Sequence, residues 1–165
     1  MEYLDWYDMN DKKTGETIIR GGEVPEGRYF NIVICYMENS KGEFLIQRTS
    51  IQKGHNCSST GGHVQAGQTL KEAMVREIKE EIGIDVSEDE LEFKGRYLKN
   101  NTVMCNAYYM KRDIDINECK LQEEEVESVF WKTKEEIEEM IKNNEFFETG
   151  AKLFEDYIKW KFWEI

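Results

Sequence analysis

The feature that most constrains the fold is a short amphipathic helix between residues 69 and 83. Thr69 can cap its N-terminus while Glu72, three residues later, completes a capping box. Gly83 is a natural stop at the other end. Apolar side chains recur at every fourth position: Leu70, Met74, Ile78 and Ile82. This single apolar stripe predicts a helix that packs with one face against a sheet.

Segments rich in β-forming residues lie on both sides of this helix. Residues 29–37 and 43–48 are joined by a turn-forming stretch and predict one hairpin. Residues 91–98 and 102–111 repeat the pattern, and residues 126–131 predict a further strand. The sequence therefore predicts a sheet assembled from segments before and after the helix.

Two more helices are expected within residues 134–164. Thr133 and Glu136 form a second capping box, and an amphipathic face follows at Phe147, Ala151, Phe154 and Ile158. The order β, β, α, β, β, β, α, α is typical of an α/β or α+β domain whose helices cover a mixed sheet. We expect one domain over residues 1–165, because no linker or repeat divides the chain. Residues 1–28 form an N-terminal extension, expected as a hairpin, a separate strand or a lid.

Composition limits the partners of the chain. Its formal net charge of −12 disfavours nucleic acid, whose binding requires clustered Lys and Arg. No apolar run approaches the roughly 20 residues that span a bilayer, and the N-terminus lacks the pattern of a secretory signal. We therefore expect a cytoplasmic protein without a membrane partner, and its scattered cysteines are expected to be reduced. An anionic small substrate would need local cations, which a bound metal supplies.

Three carboxylates stand on one face of the predicted helix. Glu77, Glu80 and Glu81 are spaced at i, i+3 and i+4, and like charges at that spacing cost roughly 0.2–0.5 kcal/mol per pair. Mg²⁺ prefers carboxylate oxygens and completes its coordination with water and phosphate, so this face can be a platform for a diphosphate. The alternative is a solvated, charged helix face. Arg76 lies i,i+4 from Glu80 and can hold that carboxylate in one rotamer.

Residues 62–84 resemble the signature of the Nudix hydrolase family, G-x5-E-x7-R-E-U-x-E-E-x-G-U, in which U is a bulky aliphatic residue. The matching positions are Gly62, Arg76, Glu77, Ile78, Glu80, Glu81, Gly83 and Ile84. Only Gln68 departs, since it replaces the first glutamate. Segments 5–8, 45–48 and 121–126 also resemble a Nudix subgroup related to isopentenyl-diphosphate isomerase. The resemblance implies an α/β/α sandwich around a central mixed sheet.

The resemblance also implies a chemistry and a site. It implies hydrolysis of a phosphoanhydride in a nucleoside diphosphate linked to another group, or in a related diphosphate, with Mg²⁺ or Mn²⁺ as cofactor. Glu77 and Glu81 would be catalytic, with Arg76 orienting the cluster. The implied metal ligands are the Gly61 carbonyl, Glu77, Glu80, Glu81 and Glu125. Glu124 is an alternative to Glu125, and a charged loop without function is the alternative to both.

Two other functions stay open. Gln68 carries no charge, so we expect weaker metal affinity or altered activity, and a degenerate domain that binds nucleotide without turnover is one alternative. An isomerase is the other, suggested by His63 and the flanking similarity. Isomerases carry a cysteine just before the Gly-His pair, where this chain has Gly61, and Cys57 lies several residues away.

Substrate contacts are weakly encoded in the sequence. Candidate phosphate-binding residues are Arg28, Arg48 and Lys53. Aromatic candidates for stacking on a base are Tyr29, Phe30 and Tyr108, although aromatic residues in strands usually belong to the core. The tail aromatics Trp160, Phe162 and Trp163 suggest either a homodimer contact or closure of the core.

Overall fold

The computed structural model describes residues 2–159. Within that range the chain forms a mixed sheet with α-helices on both sides. The elements are β1 (Tyr3–Asp8), β2 (Lys13–Ile19), β3 (Arg28–Glu38), β4 (Glu43–Thr49), β5 (Cys57–Ser58), β6 (Thr60–His63), α1 (Leu70–Ile82), β7 (Glu92–Lys99), β8 (Val103–Lys111), β9 (Val126–Thr133), α2 (Lys134–Lys142) and α3 (Glu148–Leu153). A π-helical turn, Phe154–Ile158, continues α3. The predicted α/β class with a mixed sheet is confirmed.

Strand β3 organises the sheet. It runs parallel to β8 from Phe30, opposite Val103, to Glu38, opposite Lys111. On its other side it pairs antiparallel with the short strand β6. Because β6 occupies that edge of β3, the predicted hairpin of β3 and β4 is paired only near its turn, and β4 pairs instead with β9 and β5. The predicted hairpin of β7 and β8 is confirmed along its length.

Two apolar layers form because successive residues of a strand point to opposite faces of the sheet. On one face, Met74, Ile78 and Ile82 of α1 are fully buried against the sheet. On the other face, Ile137 of α2 and Phe154 of the π-helical turn are fully buried in a second cluster. Burying each large side chain stabilises the fold by roughly 1.5–3 kcal/mol. The chain is thus an α/β/α sandwich, as predicted.

The ends of α1 follow the sequence signals. Thr69 Oγ1 accepts a hydrogen bond from the Glu72 backbone N–H at 3.1 Å, which caps the helix. Gly83 ends it with a left-handed φ of +75°, and its N–H donates to the Lys79 carbonyl at 3.0 Å. The reciprocal bond of a capping box is present at Thr133 and Glu136. At α1 only one of the two capping-box bonds is present among residues 2–159, the bond from the Glu72 N–H to the Thr69 side chain. The predicted capping box of α1 is therefore half formed.

The N-terminal extension folds as the hairpin of β1 and β2, and β1 also pairs with the start of β3. The hairpin lies against the loop that leads into α1. The Ala66 N–H donates to the Tyr3 carbonyl at 2.7 Å, and the Gly67 N–H donates to Asp5 Oδ2 at 2.8 Å. These bonds fix the hairpin beside the segment that carries the family signature.

None of the helices in the described part of the chain has the length and apolar character needed to cross a membrane. Cys35, Cys57, Cys105 and Cys119 are free thiols. Trp160, Phe162 and Trp163 lie outside the described residues, and the homodimer they suggest stays a prediction.

Candidate functional site

Two adjoining cavities lie where α1 meets β6. The first, which we call the acidic cavity, has a volume of about 130 Å³ and holds the carboxylates of α1. The second, which we call the larger cavity, has a volume of about 300 Å³. They form one cleft because they share six lining residues: Arg20, Gly61, Gly62, His63, Glu81 and Glu125.

Glu77 is buried against the backbone of β6. A Cβ atom at Gly62 would lie 2.3 Å from the Glu77 carboxyl carbon, closer than any real contact, so a larger residue at position 62 would displace the carboxylate from this position. Arg76 Nη1 lies 3.0 Å from Glu77 Oε1 and holds it from the other side. The glycine pair and the helix together therefore fix one acidic group at the cleft.

Glu81, one turn further along α1, is also buried. Gln47 of β4 donates a hydrogen bond from Nε2 to Glu81 Oε2 at 2.6 Å. The amide oxygen of Gln47 in turn accepts from Thr60 Oγ1 at 3.0 Å, which fixes the orientation of the amide. Gln47 is a site residue that the sequence analysis missed.

The two buried carboxyl groups share one environment. Burial raises the pKa of Glu77 and of Glu81 above the ordinary glutamate value, and the groups are hydrogen-bonded to one another. The charge of Glu80 further raises the pKa of Glu77, and the charge of Glu77 further raises the pKa of Glu81. A cation bound between them would reverse this effect, since it favours the ionised carboxylates.

Arg76 joins the helix face to β6. Its Nη1 contacts Glu80 Oε2 at 3.0 Å, which confirms the predicted i,i+4 pair, and its Nη2 donates to the His63 carbonyl at 2.8 Å. Glu80 is the exposed member of the three carboxylates. Arg76 thus orients two glutamates while it is anchored on the backbone of a neighbouring strand.

The acidic cavity is lined by the oxygen ligands that a hard divalent cation prefers. Carboxylate oxygens of Glu77, Glu80 and Glu81 line the acidic cavity together with Glu125 and the backbone of Gly61. Within residues 2–159, no three acidic, His or Cys side chains converge on one point as they stand. Arg76 and Gln47 occupy their oxygens instead, so metal binding would require small side-chain movements.

The structure separates the two candidates for an additional acid. Glu125 lines both cavities and pairs with Lys53 at 3.2 Å. Glu124 lines a separate depression beside Ser50, whose hydroxyl donates to the Glu124 carbonyl at 2.7 Å. Glu125 is therefore the acid of this loop that faces the cleft.

Of the three predicted phosphate-binding residues, only Lys53 lines the cleft. Arg48 follows Gln47 on β4 and so points to the opposite face of the sheet, where it lines a cavity with Phe130 and Lys132. Arg28 is not among the residues that line the cleft, and its guanidinium donates to the Gly27 carbonyl at 3.1 Å.

The aromatic candidates do not line the cleft either. Tyr29 and Tyr108 are buried, and the hydroxyl of Tyr29 donates to Asp11 at 2.7 Å. Phe30 stacks on the His63 ring with centroids 5.6 Å apart, so it packs against a residue that lines the cleft. Among residues 2–159, the aromatic residue Phe147, which precedes α3, lines the larger cavity.

Two polar residues near the signature have unexpected environments. Gln68 Oε1 accepts a hydrogen bond from the Gln65 backbone N–H at 3.1 Å, so it closes a turn and is not among the residues that line the cleft. His63 does line it. Burial, followed by the charge of Arg20, lowers the pKa of His63 to about 4, so the imidazole is neutral at physiological pH.

The fold and this cleft define an α/β/α protein whose loop and following helix present buried glutamates to a polar cavity. The chain belongs to the Nudix family, since the NUDIX domain model matches residues 28–156. Nudix enzymes are generally pyrophosphohydrolases that act on small diphosphate substrates and typically use a divalent metal.

Known proteins agree with this assignment. An uncharacterized Nudix hydrolase of Listeria monocytogenes is 30% identical over 152 residues, which is 88% of each chain. A crystal structure from Deinococcus radiodurans superposes with a TM-score of 0.76 at 23% identity, over 93% of this chain and 98% of that one. An isopentenyl-diphosphate isomerase of Corynebacterium diphtheriae is 39% identical, but over only 61 residues, about a third of each chain. The isomerase-like subgroup therefore stays a prediction.

Proposed function

We propose that this protein is a metal-dependent hydrolase that cleaves the phosphoanhydride bond of a nucleoside diphosphate linked to another group, or of a related small diphosphate. The observation that carries the proposal is the buried, hydrogen-bonded pair of Glu77 and Glu81 in a cleft that also holds cationic side chains. Two buried acids without a cation are costly, so this arrangement favours a site that functions with metal bound.

The proposed cofactor is Mg²⁺, with Mn²⁺ as a possible substitute, and it would be held by Glu77, Glu80, Glu81, Glu125 and the Gly61 carbonyl. When bound, the metal would neutralise phosphate charge and lower the pKa of a water molecule. Arg76 would keep the carboxylates of α1 oriented throughout, because its second nitrogen is anchored on the His63 carbonyl.

Different side chains of the protein would accept the proton, contact the phosphate and hold the rest of the substrate. Glu77 or Glu81 would accept a proton from the attacking water, and Gln47 and Arg76 hold these acids at fixed positions. Lys53 would contact a phosphate oxygen by exchanging its present partner, Glu125. Ile32, Ile34 and Phe147 give the larger cavity an apolar wall that would hold the group attached to the diphosphate and exclude water.

The structure offers less support for an isomerase. Cys57 is fully buried on β5, where it is the strand partner of Arg48 on β4. The described residues that line the cleft include no cysteine. Gly61 occupies the position at which isomerases carry their cysteine. We therefore place hydrolysis ahead of isomerisation.

A substrate panel tests the proposal. Phosphate or nucleotide release would be measured with ADP-ribose, dinucleoside polyphosphates, nucleotide sugars, nucleoside triphosphates and isoprenoid diphosphates, each with Mg²⁺ or Mn²⁺. We expect metal-dependent release from at least one compound, and its loss by a factor of at least about 10² in Glu81→Gln. Glu72→Gln is the matched control on the first turn of α1, since Glu72 lies outside the cleft.

Other outcomes would contradict the proposal in distinct ways. Binding of a nucleotide without release from any compound would favour a degenerate binding domain. An isoprenoid diphosphate recovered rearranged and uncleaved would favour an isomerase. Release that is unchanged in Glu81→Gln would remove the assigned site.

A further inference from the structure

The N-terminal hairpin contributes side chains to the cleft although it lies outside residues 28–156, the part matched by the family. Glu2, just before β1, lines the acidic cavity, and Arg20, just after β2, lines both cavities. The hairpin therefore reaches the cleft although it lies outside the part of the chain that the family model matches.

The hairpin is held in place by the loop that carries the family signature. Besides the two backbone-donated bonds from Ala66 and Gly67, Gln65 Nε2 donates to Glu2 Oε1 at 2.9 Å. Glu2 and Gln65 thereby connect the base of the hairpin to the residues that precede α1. This connection fixes where Arg20 lies relative to the carboxylates of the helix.

Glu2 holds Arg20 by two separate bonds. The Arg20 backbone N–H donates to the Glu2 carbonyl at 3.0 Å, and Arg20 Nη1 contacts Glu2 Oε2 at 2.9 Å. A guanidinium has five N–H donors, and in the part of the chain that the structure describes only Nη1 of Arg20 makes a hydrogen bond. Its side chain is 45% exposed, so a ligand in the cleft can reach the remaining donors.

Arg20 differs in its contacts from Lys53, which also lines the cleft, and from Arg76, which holds the carboxylates of α1. Arg76 is engaged by two glutamates of α1 and by a carbonyl, and Lys53 pairs with Glu125. Among residues 2–159, Arg20 forms no ion pair with these proposed metal ligands, and its acidic partner is Glu2. Arg20 lines the larger cavity together with Lys53 and His63.

We propose that Arg20 binds a phosphate oxygen of the diphosphate substrate and that Glu2 is the positioning residue that holds its guanidinium at the cleft. A planar guanidinium can hold Glu2 with one nitrogen and a phosphate oxygen with another, which a lysine cannot do with the same geometry. The N-terminal hairpin is then part of the substrate site. This inference rests on the proposed function, because it needs a diphosphate in the cleft.

Binding of a non-hydrolysable probe tests the inference. The affinity of the full chain for α,β-methylene-ADP with Mg²⁺ would be measured by calorimetry for the wild type, Arg20→Ala, Arg20→Lys and Glu2→Gln. We expect Arg20→Ala to weaken binding about tenfold or more, as for loss of a charged hydrogen bond, and Arg20→Lys to recover only part of it. Arg112→Ala is the matched control, since Arg112 contacts Glu90 and the Asp85 carbonyl away from the cleft.

Glu2→Gln distinguishes direct contact from a merely structural role. Gln keeps one oxygen for the bond from Gln65 but loses the carboxylate oxygen that accepts from Arg20 Nη1, so we expect binding to weaken by less than in Arg20→Ala, because the guanidinium is still present. Unchanged binding in Glu2→Gln would contradict the positioning role. Weakening in Glu2→Gln equal to that in Arg20→Ala would show that the pair only anchors the hairpin, and the inference would be overturned.

Two further results would overturn the inference while separating it from the proposed function. If the wild type hydrolyses a diphosphate and Arg20→Ala binds the probe equally well, the inference alone fails. If the wild type neither binds the probe nor hydrolyses any compound of the panel, the proposed function fails and the inference fails with it.

Discussion

At the residue scale, Gly62 shows how one missing side chain makes room for an active group. The Glu77 carboxylate occupies the volume that a Cβ at Gly62 would fill. We expect Gly62→Ala to displace Glu77 and to destabilise the fold by about 1–3 kcal/mol, the usual cost of forcing an extra methyl into a packed region. Denaturant unfolding measures this cost.

A double-mutant cycle identifies the clashing group for Gly62→Ala. In a Glu77→Ala background the added methyl has no carboxylate to displace, so most of its cost should disappear. An equal cost in both backgrounds would mean that the methyl clashes with the backbone of β6 or its neighbours and that Glu77 is placed by other contacts.

Gln68 is the residue at which the sequence and the structure lead to different expectations. Its departure from the family signature predicts weakened metal affinity, yet its amide oxygen is bonded to the Gln65 N–H and closes a turn. A glutamate can accept the same bond. We therefore expect Gln68→Glu to change the Mn²⁺ dissociation constant by less than about threefold, which is under 1 kcal/mol.

Mn²⁺ titration by calorimetry measures the effect of Gln68→Glu directly, with Glu81→Gln as the variant expected to lose affinity. A gain of tenfold or more in Gln68→Glu would show that position 68 does reach the metal and that the turn rearranges when metal binds.

At the scale of elements, α1 was predictable because every signal for it is local. The Thr69 cap, the Gly83 stop and the spacing of buried residues are all contained within the helix itself. The second hairpin was predictable for the same reason. Strands β5 and β6 were not, since they have two and four residues and exist only through pairing with β4 and β3.

The face of a strand is the other property that local sequence does not determine. Gln47 and Arg48 are neighbours on β4, yet one supports Glu81 and the other lies on the far side of the sheet. Which of them faces α1 depends on the register of β4 with β9. The helix carboxylates were therefore identifiable from the sequence, whereas Gln47 and Arg20, supplied by distant segments, were not.

The carboxylate face of α1 predicts an unusual dependence of stability on pH. Burial raises the folded-state pKa of Glu77 and Glu81 above the unfolded value, so the folded state binds more protons than the unfolded state. The associated stability is complete below the unfolded pKa and is lost as pH rises through the folded pKa. For metal-free protein we expect the free energy of unfolding to fall by more than about 1 kcal/mol between about pH 5 and about pH 8.

Urea unfolding at a series of pH values, with a chelator present, measures this slope. Glu81→Gln cannot ionise at position 81 and should flatten the slope, and Glu72→Gln should leave it unchanged. Millimolar Mg²⁺ should restore stability at pH 8, because ligand binding to the folded state stabilises it. A stability that stays level or rises over this range without metal would show that the two acids are not buried together.

At the scale of the whole molecule, the cleft is assembled from segments that are far apart in the chain. Its residues come from the ends of the N-terminal hairpin, from β3, β4, β5 and β6, from α1, from the segments before β5 and β9, and from the start of α3. No one of these segments forms a site by itself, so the sandwich fold acts as the frame that brings them together. A ligand that spans the cleft would consequently stabilise several distant segments at once.

Hydrogen exchange measured by mass spectrometry tests this view of the cleft. On addition of Mg²⁺ and α,β-methylene-ADP, we expect exchange to slow together in residues 2–20, 61–68 and 122–125, because ligand contacts reduce local opening of each wall. Residues 85–90 supply no lining residue to either cavity and serve as the internal control. Protection limited to 61–68 would mean that the ligand contacts the signature loop alone and that the hairpin is not a wall of the site. Equal protection of 85–90 would indicate general stabilisation of the fold without a defined cleft, so the pattern of protection, rather than its size, decides the outcome.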